Sequence, residues 1–528
     1  MTAPASPDAA YPDVLLAALR RDPARTALIA ADGTEFTAGG LADAVHRTAA
    51  VLAARGVGRG TTVAVLSTTL PAALTARYAA NHLGARVVLL YDGLAPATLA
   101  TLVDGADAAF LLVAPDLAGT ARALLGHLSG PRPVVHTLGP VPGTGDRPPL
   151  GDDLAAACAA LPGTPDVPGA ALPGDDWCIR HTGGTTGVPK GVRMTHAPYA
   201  RMLTRPMAAA GDPPRFLAAT SLAHLAGIFT DVTLVAGGTV VLRPSFEPGD
   251  VLAAVARHRI THLWALPPLL YRLLDHPDLP ATDLSSLTRV TYGGCPASPA
   301  RMRHAAEVLG PVLYGEYGQS EALSITEAVP ADLDVTGPGG RLTVGRARPG
   351  VEIAVRDADG RTLAPGETGE IHVRSAGVMS GYWKQPERSA EVLVGDGWLR
   401  TGDIGTLDEE GRLYLVDRAK DVIIVVGGHV HPLEIEDLLH THPDVAQCAV
   451  YGVRTDAGEE VHAAVVAAPG RTVDPEELRA LVVHDKGAMY APVVFRICDA
   501  LPLTPVGKPD KVRLRAAAQA SGAAATAR

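Results

Sequence analysis

The chain has 528 residues, enough for several domains with cores of their own. Hydrophobic residues make up 47% and charged residues 19%, which excludes a disordered chain and a coiled coil, and a net charge of −10 argues against a nucleic-acid binder. No apolar run approaches the roughly 18–20 residues of a membrane span; the opening MTAPASPDAAYPD does not read as a secretory signal, and Cys158, Cys178, Cys295, Cys448 and Cys498 lack CxxC spacing. The expectation is a cytoplasmic protein without disulfides, zinc or a membrane span.

From about residue 26 the pattern alternates between helical and strand periods. LADAVHRTAAVLAARG (41–56) and ARYAANHLG (76–84) read as helices, TTVAVLST (61–68) and ARVVLLY (85–91) as buried strands. Short apolar strands separated by helices imply a parallel sheet covered on both faces. The Pro- and Gly-rich stretch 129–176 reads as a long connection. The α/β rhythm resumes over 214–320, with strands near 238–243, 261–266 and 288–292. After about 340, VEIAVRDADGRTL and TGEIHVRS alternate with period two, as in hairpins or a small barrel. The segment after 428 mixes helix and strand, and the tail RAAAQASGAAATAR is expected to fray.

HTGGTTGVPKG (181–191) gathers four Gly, three Thr and Lys190 into eleven residues. Glycines let backbone N–H groups turn around an anion, threonines add hydroxyl donors, and Lys190 adds a point charge. It is not a Walker A loop, because Gly191 rather than Ser or Thr follows the lysine. Lysine occurs only at 190, 384, 420, 486, 508 and 511, leaving 40 of the 46 basic residues as arginine. Positions that keep a compact, mobile ammonium therefore merit attention; Lys384, Lys486 and Lys511 are expected at the surface.

TGGTTGVPKGV resembles the phosphate loop of the adenylate-forming superfamily, which includes acyl-CoA synthetases, non-ribosomal adenylation domains and luciferase. YGGCPAS (292–298), YGQSEA (317–322), GYW (381–383), GWLRTGD (397–403), DRAKD (417–421) and LPLTPVGKPDK (501–511) follow in the order expected of that superfamily, so the resemblance runs from about 26 to 515. It implies an α/β fold: a large N-terminal domain (1–416) of two doubly wound subdomains with a small β-barrel-like subdomain, and a small mobile α+β C-terminal domain (417–528) hinged near Lys420.

The implied chemistry is attack of a carboxylate on the α-phosphate of ATP, which demands charge neutralisation and in-line positioning more than acid–base work. By resemblance, Thr182, Gly183, Gly184, Thr185, Thr186, Gly187 and Lys190 cradle phosphate, with Gly183 standing where relatives carry Ser. Tyr317 stacks on adenine, with Gly318 in the same motif, and Gly294, Cys295 and Pro296 form the opposite wall. Ser320 offers a hydroxyl to phosphate, and Glu321 holds Mg²⁺. Asp403 and Arg418 contact ribose. Lys508 bridges the carboxylate and the α-phosphate. Lys420 marks the hinge, and Gly427, Gly428 and His429 line a pantetheine tunnel, His429 replacing the more usual Asn or Gln.

His224, Leu225, Phe229, Tyr292 and Gly293 are the expected acyl-pocket residues. By the same resemblance, amino-acid-activating relatives carry an Asp early in the segment that reads TSLAHLAGIFTD (220–231) here; this chain has no carboxylate before Asp231, so an amino acid is disfavoured. The implied function is ATP-dependent adenylation of an aryl or alkyl acid followed by thioester formation with CoA. Alternatives are loading of a carrier protein's phosphopantetheine arm, a diazotase that adenylates nitrite for an arylamine, and a nucleotide-binding scaffold. Retention of Lys190, Glu321, Asp403 and Lys508 speaks against the scaffold.

Overall fold

Proline opens many of the helices. Pro71, Pro96, Pro248, Pro267, Pro299, Pro432 and Pro475 each stand in a first turn, where a missing N–H costs nothing and a fixed φ already suits the helix. Thr37, Asp153 and Ser298 cap first turns through side-chain oxygens, Ser298 that of the helix opened by Pro299. The computed structural model describes residues 9–142, 148–182, 190–204, 212–337, 340–418, 423–425, 428–455, 458–504 and 507–526. They form a mixed α/β protein, as the alternating periods predict, in two units: 1–264 with 280–288 and 377–391, and 265–279 with 289–376 and 392–528.

In the first unit the central strands Thr62–Leu66, Arg86–Leu90 and Phe110–Val113 run parallel. Arg86–Leu90 is also parallel to Asp176–Thr182, whose other edge pairs antiparallel with Lys190–Thr195. Every residue of TVAVL is buried. Leu66, Val88, Leu111 and Val113 pack against Leu99, Val103 and Leu124 from the covering helices. A second sheet in this unit sets Thr26–Ile29 between Glu35–Thr37 and Thr239–Leu242, with Arg215–Ala218 beyond.

Part of the 129–176 connection is regular, contrary to expectation. Val134–Thr137 adds a parallel strand beside Phe110–Val113, and Leu154–Ala159 is helical. A four-residue run flanked by prolines carries too little periodicity to reveal itself, and its order comes from the neighbouring strand.

The second unit pairs Arg289–Gly293 parallel to Leu313–Gln319, which then pairs antiparallel with Leu323–Ala328. The period-two segments form an antiparallel sheet of Val351–Arg356, Gly369–Ser375 and Trp398–Leu407, with Leu393–Val394 and Leu413–Arg418 both on the last of these. The C-terminal part of this unit contains a three-stranded sheet (Val445–Thr455, Gly458–Ala467, Val494–Ile497) and helices Pro432–Leu439 and Pro475–Lys486. The tail is helical over Lys511–Thr526 rather than frayed, consistent with its alanine content. Lys511 also departs from the surface expectation: it is only 25% exposed and reaches Glu436 at 2.8 Å. No helix among the described residues is long and apolar enough to cross a membrane.

Candidate active site

In the first unit, strands Asp176–Thr182 and Lys190–Thr195 fix both ends of the glycine-rich loop, with Thr182 opposite Lys190. Gly183, Gly184, Thr185, Thr186 and Gly187 lie outside the described residues. A Cβ at Gly191 would lie 2.7 Å from Ile179 Cγ2, so a larger residue there would have to displace that side chain. GYW supplies a third strand: Gly381 pairs with Arg193 and Tyr382 with Val192. Its Tyr382 ring lies 4.8 Å from the Lys190 ammonium, a cation–π contact that limits where this long side chain can point. Trp383 is pinned by Nε1–H donating to the Gly105 carbonyl at 3.1 Å and by Arg86 lying 4.6 Å over the ring.

His224 is the N-cap of helix Leu225–Val235, and its ring stands 4.9 Å from that of Tyr91. Both border a small cavity walled by Leu89, Trp177, Ile179, His181 and Ala223. Burial pushes the His181 imidazole down to about 4, so at neutral pH it offers a neutral hydrogen-bonding ring. Tyr91 carries no motif; the signal for it is an aromatic residue just past the C-terminal end of a parallel strand, where α/β sheets place ligands. Leu225 is half-buried. Phe229 lies between Phe216 and Trp264, its ring centroid 5.8 and 5.7 Å from theirs with the planes tilted, an aromatic core contact as much as a pocket wall. Asp231 is fully buried and taken up by Arg77, by Tyr78 Oη at 2.5 Å and by Tyr199 Oη at 2.6 Å.

In the second unit, the parallel strands Arg289–Gly293 and Leu313–Gln319 deliver their C-terminal ends side by side. Two glycines permit this closeness. A Cβ on Gly293 would lie 2.1 Å from the Glu316 carbonyl oxygen, and one on Gly318 2.1 Å from that of Leu323. Tyr292 is buried, with its phenol pushed up by burial. Tyr317 is buried, and its hydroxyl donates to Asp403 Oδ2 at 2.8 Å. The TGD turn holds that carboxylate: Asp403 N–H donates to Thr401 Oγ1 at 3.1 Å, Thr401 Oγ1 donates to the Ile371 carbonyl at 2.7 Å, and Gly402 takes φ +71°. Arg418 is the strand partner of Asp403. Ser320 and Glu321 stand half-buried in the turn before Leu323–Ala328.

Gly294, with φ +80°, turns the chain into Cys295 and Pro296. Burial pushes the Cys295 thiol up to about 12, while the positive charges of Lys508 and Lys511 oppose that rise. Lys508 closes a tight turn: its N–H donates to Thr504 Oγ1 at 3.1 Å, and Thr504 N–H donates to the Lys508 carbonyl at 2.7 Å. Gly507, at φ +84°, faces Leu266 and Leu269, each 3.5 Å from where a Cβ would stand. The second unit therefore joins Tyr317 to Asp403 and sets Lys508 near Cys295, although they come from four distant motifs. Gly428 and His429 pair with Val425 and Ile424 in a hairpin; Lys420 and Gly427 lie outside the described residues.

Residues 15–383 match the AMP-binding enzyme family, and residues 434–508 match the AMP-binding enzyme C-terminal domain. The chain is 36% identical to the medium/long-chain-fatty-acid–CoA ligase FadD8 of Mycobacterium tuberculosis, over 95% of this chain and 89% of that one. It is 34% identical to a feruloyl-CoA synthase of Amycolatopsis, over 92% and 94%. Among solved structures, the amide bond synthetase McbA of Marinactinospora thermotolerans superposes with a TM-score of 0.84 at 39% identity, over 95% of this chain and 98% of that one. The protein thus belongs to the AMP-binding enzyme family and is an adenylate-forming enzyme of the acid–thiol ligase kind.

Proposed function

We propose that the protein uses ATP to adenylate a carboxylic acid that is not an amino acid, and then passes the acyl group to the thiol of CoA. In the first step a carboxylate oxygen attacks the α-phosphorus and pyrophosphate leaves. In the second, the CoA sulfur attacks the acyl carbonyl carbon and AMP leaves. The observation that carries this reading is the assembly of Lys508, Cys295, Tyr317 and Asp403 in one unit. It sets the Lys508 ammonium near Cys295, in the same unit as a buried aromatic ring hydrogen-bonded to a carboxylate acceptor. Lys508 would neutralise the two anions that must meet, Asp403 would accept from ribose hydroxyls, and Tyr317 would carry the base.

Asp231 supports the exclusion of amino acids. The one carboxylate of the TSLAHLAGIFTD segment is already committed to Arg77 and two tyrosines, so it has no role for a substrate ammonium. Tyr91 and His224 would face the acid from one side. A hard divalent cation fits the oxygen donors Ser320 and Glu321, and Mg²⁺ held there would neutralise phosphate charge. Residues 417–528 would turn as a body about Lys420 between the two half-reactions.

A second reading has a specific observation in its favour. The likeness to an amide bond synthetase at 39% identity points to an amine as acceptor instead of a thiol. ATP–pyrophosphate exchange over a panel of aryl and alkyl acids, with nitrite included, tests the adenylation. AMP release with CoA, with an amine and with neither separates the acceptors. Exchange with none of the acids would refute the proposal.

A further inference from the structure

The ion pair between Arg341 and Glu434 joins the body of the second unit to the segment beyond Lys420. Arg341 ends a tight turn in which Gly337 N–H donates to the Arg341 carbonyl at 2.9 Å and Thr336 bridges Leu342. That turn is fastened to strand Leu413–Arg418. Thr343 Oγ1 donates to the Leu413 carbonyl at 2.9 Å, and a Cβ on Gly337 would lie 2.2 Å from the Tyr414 ring. The neighbours of Arg341 are therefore fastened to that strand.

Glu434 lies in the first turn of helix Pro432–Leu439, which packs on the same strand. Its Oε1 accepts from Arg341 Nη2 at 2.9 Å, and its Oε2 lies 3.6 Å from Lys486 Nζ. The Arg341 and Glu434 side chains are only 10% and 19% exposed, so little water screens the pair. Two residues along the helix, Glu436 accepts from Lys511 Nζ at 2.8 Å and from Val450 N–H at 2.7 Å. Lys511 opens the last helix, three residues after Lys508. A continuous set of contacts thus runs from Arg341 through one helix to the turn that carries Lys508.

We propose that Arg341 is a positioning residue: by holding Glu434 it docks the C-terminal segment in the arrangement that sets Lys508 beside Cys295, and so favours adenylation over acyl transfer. The inference rests on the reading that 417–528 turns about Lys420, a movement that must break this pair. Arg341 is the partner to remove, because Glu434 then still has Lys486; the buried Asp437 carboxyl loses the charge of Arg341 but keeps that of Lys486.

The first test needs no substrate. Cys295 faces Lys508, Lys511 and Glu436 of the C-terminal segment. Alkylation of this thiol by iodoacetamide, followed by peptide mass spectrometry, should therefore be several-fold faster in Arg341→Ala than in the wild type, and Arg341→Lys should restore protection in part. Equal alkylation rates would overturn the docking role, whatever the enzyme's activity. The second test uses an acid that supports pyrophosphate exchange. Arg341→Ala should slow exchange about tenfold or more, while transfer from preformed acyl-adenylate to the acceptor stays within about twofold, a size of effect typical of broken conformational coupling. Equal slowing of both steps, or of neither, would remove the catalytic consequence. If Arg341→Ala does not fold, Glu434→Gln must reproduce the same split. Absence of exchange in the wild type would refute the proposed function and leave the alkylation result standing.

Discussion

The Tyr317 hydroxyl donates to Asp403 Oδ2 across 86 residues of sequence, and both side chains are buried. One hydrogen bond thereby sets the plane of the aromatic ring and the orientation of the carboxylate together. Hydrogen bonds to charged groups contribute about 1.5–3 kcal/mol. Asp403→Asn, which weakens acceptance at that oxygen, should raise the KM for ATP by about tenfold or more. Tyr317→Phe keeps the ring but releases the carboxylate, and should raise it less. Steady-state kinetics at saturating acid checks this; an unchanged KM in both variants would take the pair out of the nucleotide site.

Lys508→Ala should lower the adenylation rate about 10²–10³-fold, the cost of losing one charge-assisted contact made in the transition state. Stability should fall far less than activity, because the hydrogen bonds that close the turn use the backbone of Lys508 and the hydroxyl of Thr504. Pyrophosphate exchange measured beside a thermal unfolding curve separates the two effects. A variant that exchanges at the wild-type rate would overturn the role.

Much of this architecture is legible in the chain because its signals are local. TVAVL reads as a buried strand since every residue is apolar or β-branched, and all five are buried. GYW reads only as a structural motif; the Tyr382 ring over Lys190 gives that motif a physical meaning. What stays hidden depends on partners remote in sequence. Asp231 reads as a carboxylate near an acyl pocket, and nothing nearby announces Arg77, 154 residues away. Lys511 reads as a surface lysine because Glu436 is on another element. Tyr91 is a single aromatic residue without a motif, and its nearness to His224 comes from the packing of two sheets, since each follows a strand of a different one.

The Arg77–Asp231 pair sets a stability prediction. Arg77 is 3% exposed and Asp231 not at all, and Tyr78 and Tyr199 donate the remaining hydrogen bonds to the carboxylate. Removing one partner of such a pair strands a charge, at a cost of about 3–5 kcal/mol. Arg77→Met and Asp231→Leu should each destabilise the first unit by that order. The double variant should cost less than the sum, because neither charge is then left alone. Chemical denaturation checks this; single variants within about 1 kcal/mol of the wild type would mean that the cluster relaxes or admits water.

Acid should weaken the fold well before ordinary carboxylates titrate. Burial pushes His181, His196 and His440 each down to about 4, against the ordinary imidazole value of 6.5. His196 is fully buried against the Tyr11 ring at 5.4 Å, and neither ring nitrogen has a hydrogen-bond partner among the described residues. Below pH 6.5 the unfolded chain binds protons that the folded one refuses. Stability is therefore complete above about 6.5 and is lost as the pH falls towards 4. For His196 alone the loss approaches about 3 kcal/mol. Asp437 works in the opposite sense: burial raises it to about 7, so its protonated form favours the fold at low pH and that contribution fades as pH rises from about 4 to 7. Among the described residues eight imidazoles are pushed down against two carboxyls pushed up, Asp13 and Asp437, which leaves a net acid loss. Denaturation midpoints at pH 7.5 and 4.5 should differ accordingly, and His196→Leu should flatten part of the difference while Asp437→Asn should steepen it. An equal pH dependence in His196→Leu and the wild type would mean that this imidazole already carries its proton inside the fold.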